Sequence, residues 1–502
     1  MSLEQPQEPE LPRQDSPFRT YVKQGMIGLA LAATLVPLTS CGGGSSGPVT
    51  PPGGSALKIT TSTTIFPAFD PAITDYVATT PSGALQVTVN APAGTQVAVD
   101  GHPAAASTFT TPVTIAAGQS FPIVVTSAGT SKTYYVRCLP TDFPAWTTER
   151  PGTPQTEYYA FTPDSPIGPG TARHYLVIAD NNGVPIWWYQ GSDEPRAGIV
   201  LANGNIAWNV TNGVEEHKLN GTLVNTITPD KSDGATFDLH ELQQLPNGDF
   251  LIMAEVFRGP VDLSAEGGSA NGTAVDNVIE EIAPNGSLVW KWSTFDHIPV
   301  SETSAVWWTQ FIQSLSLADP YHMNSVEADG DGFVVSFRHL DSVYRINKAT
   351  GNIVWKLGGT HRAESLTFSG DAHGNFGGQH DARILPDGTL TLHDNSVNQS
   401  RPPRAVRYRI DTAAKTATLL EQVTDPEISS ALCCGSARKE SGGNWVMSWG
   451  YSSVVTELTP AGARVFRMKL TNPYFSYRVQ PVPTGVLNRA ALRTGMDAQF
   501  PR

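Results

Sequence analysis

One offset recurs six times along this chain: a residue stands eight positions ahead of a tight-turn glycine. The six are Arg196, His240, His322, His380, Cys434 and Tyr477, ahead of Gly204, Gly248, Gly330, Gly388, Gly442 and Gly485. Three are histidines, in HELQQLPNG, HMNSVEADG and HDARILPDG. A constant offset means one structural position used repeatedly, so the three imidazoles are expected around a shared centre. In the stretch ADGDG the turn glycine can also be Gly332, and the turns after Arg196 and Cys434 match least well.

Between these positions lies a second kind of hairpin. HYLVIADNNGVPIWWY, EEHKLNGTLVNTIT, VIEEIAPNGSLVWKW, VYRINKATGNIVWKL, RAVRYRIDTAAKTATLL and VVTELTPAGARVFRM each carry alternating apolar residues around a polar turn, the hairpin signature. Two hairpins per unit make a four-stranded blade, and six units make a ring. The spacings between the marked residues (44, 82, 58, 54 and 43) start near one propeller blade and grow by insertion. Closure into a ring removes exposed sheet edges. Tyr477 follows the sixth such hairpin, so its strand completes a blade begun at the N-terminal side. The expectation is all-β: a six-bladed β-propeller over 140–502, since an array of sandwiches would not need the common offset.

Composition agrees. The 502 residues hold 46 Gly and 39 Pro against 16% charged residues, which suits turn-rich β structure, and no long amphipathic helical pattern occurs. The net charge of −13 argues against a nucleic-acid binder, which would show a basic face. It leaves room for a small anion, because a local cluster of His and Arg still makes a positive funnel.

Residues 1–41 read as an export signal. Lys23 precedes the apolar run IGLALAATLVPL, too short to span a membrane and suited to a signal core. The run ends in Leu-Thr-Ser-Cys41, which resembles the bacterial lipobox. That resemblance implies lipidation of Cys41 and anchoring of an exported protein to the cell envelope. An uncleaved anchor is the alternative. Residues 42–55, rich in Gly, Ser and Pro, form a flexible tether. Cys138, Cys433 and Cys434 remain, an odd number. Adjacent cysteines can bond only through a strained ring, and Cys433–Cys434 is read as a structural or strained pair.

Residues 56–139 read as about seven short strands, with FDPAITDY and SKTYYV resembling cadherin-like bacterial β-sandwich domains. The resemblance implies scaffolding. Asp70 and Asp75 there are read as turn caps ahead of calcium ligands.

The chemistry is expected in the ring. Asn324 shares a strand face with His322, and Arg338 ends the following strand. Three imidazoles, an amide and a guanidinium without a nearby carboxylate suit an anion better than a metal, and arginine's fork matches tetrahedral oxyanions. No metal and no cofactor is expected. Neutral histidine is a nucleophile near pH 7. His339 reads as a hydrogen-bonded surface residue, and His393-Asp394 either orients His380 or is structural. His361 and His373 lie in a loop with two readings, a lid over the channel or a solvated loop. Trp187-Trp188 reads as blade core, while Trp307-Trp308 is divided between core and substrate contact.

Taken in order, His240-Glu241 with LPNGDFL, His322-Met-Asn324-Ser325, Ser336-Phe-Arg338-His339-Leu340, Ile353-Val-Trp355-Lys356-Leu-Gly-Gly359 and Gly377-Gly-Gln-His380 with DGTLTLHDN resemble the bacterial arylsulfate sulfotransferases, PAPS-independent enzymes on a six-bladed propeller. The resemblance implies an aryl sulfate donor, a phenolic acceptor and a transiently sulfurylated histidine at His380. His240, His322, Asn324, Arg338 and Tyr477 would bind the sulfuryl group, with His240 or Tyr477 handling the phenolic proton. Two other classes stay open: a metal-dependent propeller hydrolase or lyase, and a non-catalytic surface lipoprotein binding carbohydrate or protein.

Overall fold

The computed structural model describes residues 56–164, 174–191, 193, 195–312 and 317–502. The expected signal segment with Cys41 and the 42–55 tether lie outside the described residues.

Alternating burial along short strands builds the N-terminal unit. Leu85–Asn90 and Thr95–Val99 turn every second residue inward, and Val87, Val89, Val97, Phe121, Ile123 and Val136 form the core. A three-stranded and a five-stranded sheet make up this sandwich, eight strands where about seven were expected.

Six sheets follow, each built on four antiparallel strands, and three of them carry a fifth strand. Blade 2 runs from the strand Arg196–Val200, blade 3 from Thr236–Gln244, blade 4 from Met323–Asp329, blade 5 from His380–Ile384 and blade 6 from Ser436–Lys439. Blade 1 takes its three outer strands from Tyr158–Gly191 and its innermost strand, Phe475–Pro481, from the far end of the chain. Successive innermost strands touch one another, and Phe475–Pro481 touches Arg196–Val200, so the ring is closed as the sequence led us to expect. The turn in ADGDG is settled in favour of Gly330, because Asp329 pairs with Gly332 across it.

The repeated offset has a backbone counterpart in blades 2 to 5; in blade 6 the turn glycine is Gly443, nine residues after Cys434, and the strand bearing Tyr477 leads to the C-terminal helix, so Gly485 closes no hairpin. Four innermost strands break register at the marked position, between Arg196 and Ile199, Asp238 and Leu242, Met323 and Ser325, and His380 and Arg383. Ala197, His322, Asp381 and Cys434 take positive φ there. A bulge re-aims side chains at the rim of a sheet, and here it repeats at one end of the channel.

Trp187 and Trp188 are fully buried in the blade 1 core, as read from the sequence; each such side chain stabilises the fold by about 1.5–3 kcal/mol. The C-terminal helix Arg489–Gln499, capped by the Asn488 side chain, ties ring to sandwich. Arg493 donates to both Asp75 oxygens (2.6 and 2.5 Å) and Arg489 to one (2.9 Å). Asp75 is therefore an inter-domain ion partner, whereas Asp70 does cap a turn at Ala72 N–H (2.8 Å). Burial works to raise the Asp75 carboxyl, but the two arginines win and hold it below the usual carboxylate range. The stabilisation from Asp75 is thus present above the ordinary carboxylate pKa and lost as pH falls through the lowered value. Asp75→Ala should cost about 1–3 kcal/mol, read as a lower thermal midpoint at pH 7, with the gap to wild type narrowing in acid.

Candidate active site

The three histidines meet. His240 and His322 ring centres lie 5.1 Å apart, His240 and Tyr477 5.5 Å, and His380 and Tyr477 6.2 Å. All four come from marked positions on blades 3, 4, 5 and 1, so the shared bulge is what aims them at one point. Arg338 stands in the turn after the second strand of blade 4, its N–H on His322 O (2.9 Å). Its guanidinium lies over the Trp307 ring at 4.2 Å and donates to His339 Nε2 (3.0 Å) and Leu432 O (3.2 Å). Asn324 is buried beside them and donates to Gln379 O (2.8 Å), the residue before His380. The structure therefore brings His240, His322, His380 and Tyr477 together and sets Arg338 and Asn324 against residues that adjoin them.

The imidazoles are oriented in two ways. His240 Nδ1 meets Asp238 Oδ1 at 2.6 Å, and His322 Nδ1 meets Asp319 Oδ2 at 2.5 Å. His380 Nδ1 instead faces two neutral oxygens, Gly378 O (2.9 Å) and Asn395 Oδ1 (2.8 Å), while its Nε2 accepts from the Cys434 N–H at 3.2 Å. Asn395 is held in that sense because its Nδ2 donates to Ala431 O and Cys434 O. Two oxygens at Nδ1 and an N–H at Nε2 permit one neutral tautomer: proton on Nδ1, lone pair on Nε2.

Electrostatics agree with that tautomer. Burial, then the nearby Arg338 cation, pushes His380 well below the ordinary imidazole value, so it is neutral at pH 7. Burial also lowers His322 and, more strongly, His339; Asp319 opposes this at both. Asp319 would itself be raised by burial, but the two imidazoles pull it far down. Glu255, on blade 3, is pushed well above the carboxylate range by burial and by Asp238 and Asp319, and so adds no third negative charge. Burial raises the Tyr477 phenol.

Several sequence readings need correction. The site was expected to lack carboxylates, yet Asp238 and Asp319 each hold an imidazole; the signal was an Asp two or three residues ahead of His, in DLH and DPYH. His339 is fully buried, stacked on His322 at 4.5 Å, with Nδ1 on Asp319 O (2.7 Å). Asn395, and not His393-Asp394, orients His380, since Asp394 is taken by Arg401 and Arg404. Trp307 is buried beneath Arg338 with its N–H on Asp341 (2.9 Å), which makes it a platform for the arginine. The cysteine reading stands: Cys433 and Cys434 are bonded to each other, and Cys138 is a buried free thiol in the sandwich.

Asp319, His322 and His339 bring ligand-type atoms within 4.8 Å of one another. They suit a metal poorly, because His322 Nδ1 and Asp319 Oδ2 already bond one another, His339 Nδ1 bonds a backbone oxygen and the Arg338 cation sits 3.0 Å from His339 Nε2. Beneath the histidine layer, buried ions close the channel. Glu241 accepts from Arg383 (2.6 Å) and Arg478 (2.8 Å), and Asp381 from Arg383 (2.8 Å) and Arg438 (2.7 Å). An open cavity of about 380 Å³, lined by Glu241, Glu327, Arg383 and Arg438 among others, lies on the side toward the strand turns.

A closed β-propeller whose channel gathers histidines and an arginine at one mouth is the class of protein defined here. Residues 200–471 match the family model described as Arylsulfotransferase (ASST), and residues 55–138 match the cadherin-like beta sandwich domain. The chain belongs to the arylsulfotransferase family. The matched span holds every candidate residue of the ring except Tyr477. No curated protein matches the chain. Similar solved structures include a protein of unknown function from Bacteroides caccae (11% identity, 65% of this chain, 99% of that one, TM-score 0.42). A putative 6-phosphogluconolactonase from Bacteroides fragilis (13%, 66% and 100%, TM-score 0.37) and virginiamycin B lyase from Staphylococcus aureus (9%, 65% and 99%, TM-score 0.33) are others.

Proposed function

We propose that the protein transfers a sulfuryl group from an aryl sulfate to a phenol in two steps through a sulfohistidine at His380, without PAPS or another cofactor. The carrying observation is the contrast among the three converging imidazoles: His380 Nδ1 rests on an amide and a backbone oxygen, which leaves its lone pair on Nε2, whereas carboxylates hold Nδ1 of His240 and His322. In the first step that lone pair forms an N–S bond as the S–O bond to the aryl group breaks, and the leaving oxygen takes a proton from His240 or Tyr477. In the second step the acceptor phenol returns a proton to the same group, its oxygen bonds to sulfur, and the N–S bond breaks. Arg338, His322 and Asn324 hold the sulfuryl oxygens, the kind of fixed donor worth a few kcal/mol each.

The test is incubation with 4-nitrophenyl sulfate and phenol. Nitrophenol should appear at a rate that depends on phenol, and a quenched digest should carry the sulfuryl mass on the His380 peptide. Nitrophenol release that ignores phenol would mean hydrolysis, and absence of release together with a bound metal would favour the metal-enzyme class. Arg338→Lys keeps the charge but loses the planar fork over Trp307. It should lower kcat/KM about tenfold, measured with the same substrate pair.

We also propose, from the apolar run that ends in Leu-Thr-Ser-Cys41, that a lipid on Cys41 holds the protein at the cell envelope. Among the described residues no helix is long and apolar enough to cross a membrane. Labelled palmitate should enter the wild type and not Cys41→Ser.

A further inference from the structure

The segment Ala431–Gly435, between blades 5 and 6, touches three of the groups assigned to sulfuryl transfer, His380, Arg338 and Tyr477. Cys434 N–H donates to His380 Nε2 at 3.2 Å. The Cys434 carbonyl accepts at 2.8 Å from Asn395 Nδ2, the side chain whose Oδ1 holds His380 Nδ1. Leu432 O accepts from Arg338 (3.2 Å), and Gly435 N–H donates to Tyr477 O (2.8 Å). Cys434 is fully buried against Phe475 and Tyr477. It takes φ +67°, in the left-handed region that a non-glycine residue enters at a cost. The chain is also wedged from behind: a Cβ added at Gly450 would sit 2.1 Å from the Cys433 carbonyl oxygen.

A backbone N–H fixed 3.2 Å from the attacking nitrogen has a second use. Once sulfur is bonded to Nε2, a sulfuryl oxygen lies one bond further out, within reach of that same donor. Donors of this kind act only while they are held in place, because a mobile amide must be reordered at each turnover. What restrains Cys434 is its bond to Cys433, which closes a small ring around their shared peptide.

We propose that the Cys433–Cys434 disulfide is a positioning clamp that keeps the Cys434 N–H on His380 Nε2 and then on a sulfuryl oxygen, so that opening it slows sulfuryl transfer without unfolding the ring. The proposal rests on His380 as the nucleophile. Opening takes two electrons and two protons and yields two thiols. Leu432, 64% exposed, brings the strap to the surface where a reductant reaches it, while Cys138 stays buried in the sandwich.

Full-length protein is assayed oxidised and after treatment with a water-soluble phosphine, which becomes the phosphine oxide as the disulfide gains two hydrogens; intact mass counts the thiols. Reduction should lower kcat about tenfold, with KM and the thermal midpoint little changed, and reoxidation should restore it. Cys433→Ala should behave as the reduced protein. Cys433→Ala/Cys434→Gly should recover part of the loss, since glycine takes positive φ unaided. Turnover at the oxidised rate in the reduced protein and in Cys433→Ala overturns the proposal, as does a loss of activity that tracks loss of folded protein. Absence of the sulfuryl mass on His380 in oxidised wild type quenched during turnover overturns the nucleophile reading instead, whatever reduction does.

Discussion

Replacing His380 by asparagine is expected to lower aryl sulfate turnover at least about a thousandfold, the order seen when a covalent nucleophile is removed. Asparagine is short enough to fit and offers an N–H toward Gly378 O, so folding should survive; an unchanged circular dichroism spectrum and thermal midpoint check this. Covalent labelling of the 380 peptide should vanish with activity. A variant that keeps even a tenth of wild-type turnover would remove His380 from the reaction. The neutral imidazole also sets the pH profile. Because burial and Arg338 depress its pKa, protonation should not cut activity at pH 6.5, where an ordinary histidine is half charged, and the acid limb should lie well below. Stability follows the same sign: the unfolded chain binds the proton first, so the contribution of a buried neutral His380 is full above pH ~6.5 and falls as pH drops beneath it.

Glu241→Ala should be the most destabilising single substitution in the ring. Glu241 is fully buried and accepts from Arg383, Arg478, the Leu242 N–H and the Val326 N–H. Its removal leaves two buried guanidiniums short of an acceptor, a loss of about 3–5 kcal/mol. Denaturant unfolding followed by tryptophan fluorescence measures this as a lower midpoint. Glu241→Gln keeps the volume and one acceptor oxygen and should cost less. A loss under about 1 kcal/mol for the alanine variant would show the cluster to be redundant. The cluster also has an acid limit. Burial opposes ionisation of Asp381, yet Arg438, Arg383 and Arg478 hold its pKa far below the usual range, so its contribution is retained above pH ~4 and lost only in strong acid.

The clamp, the nucleophile and the ion cluster stack along one axis because neighbouring residues on each innermost strand face different layers. Positions 240, 322, 380 and 477 line the upper layer, while 241, 381, 383 and 478 form the plug beneath. A change in the plug should therefore act on activity through the histidine layer. Arg478 links the two directly, since it donates to the backbone carbonyl of Asn324.

The sequence by itself determined the ring and its site-bearing positions. The offset to a turn glycine, which holds in blades 2 to 5, is a local property fixed by strand length and bulge, so it can be read without knowing what the strands pack against. It also determined that Tyr477 belongs to a shared blade, since six hairpins left one strand over. Tertiary structure alone decided what each imidazole is. Asp238 and Asp319 were visible as neighbours of histidines, but Asn395 reaches His380 across a strand pair, 15 residues away, and Cys434 reaches it from the next blade, 54 residues away. Tautomer and pKa depend on burial and on partners brought from other blades, and no local pattern encodes those distances.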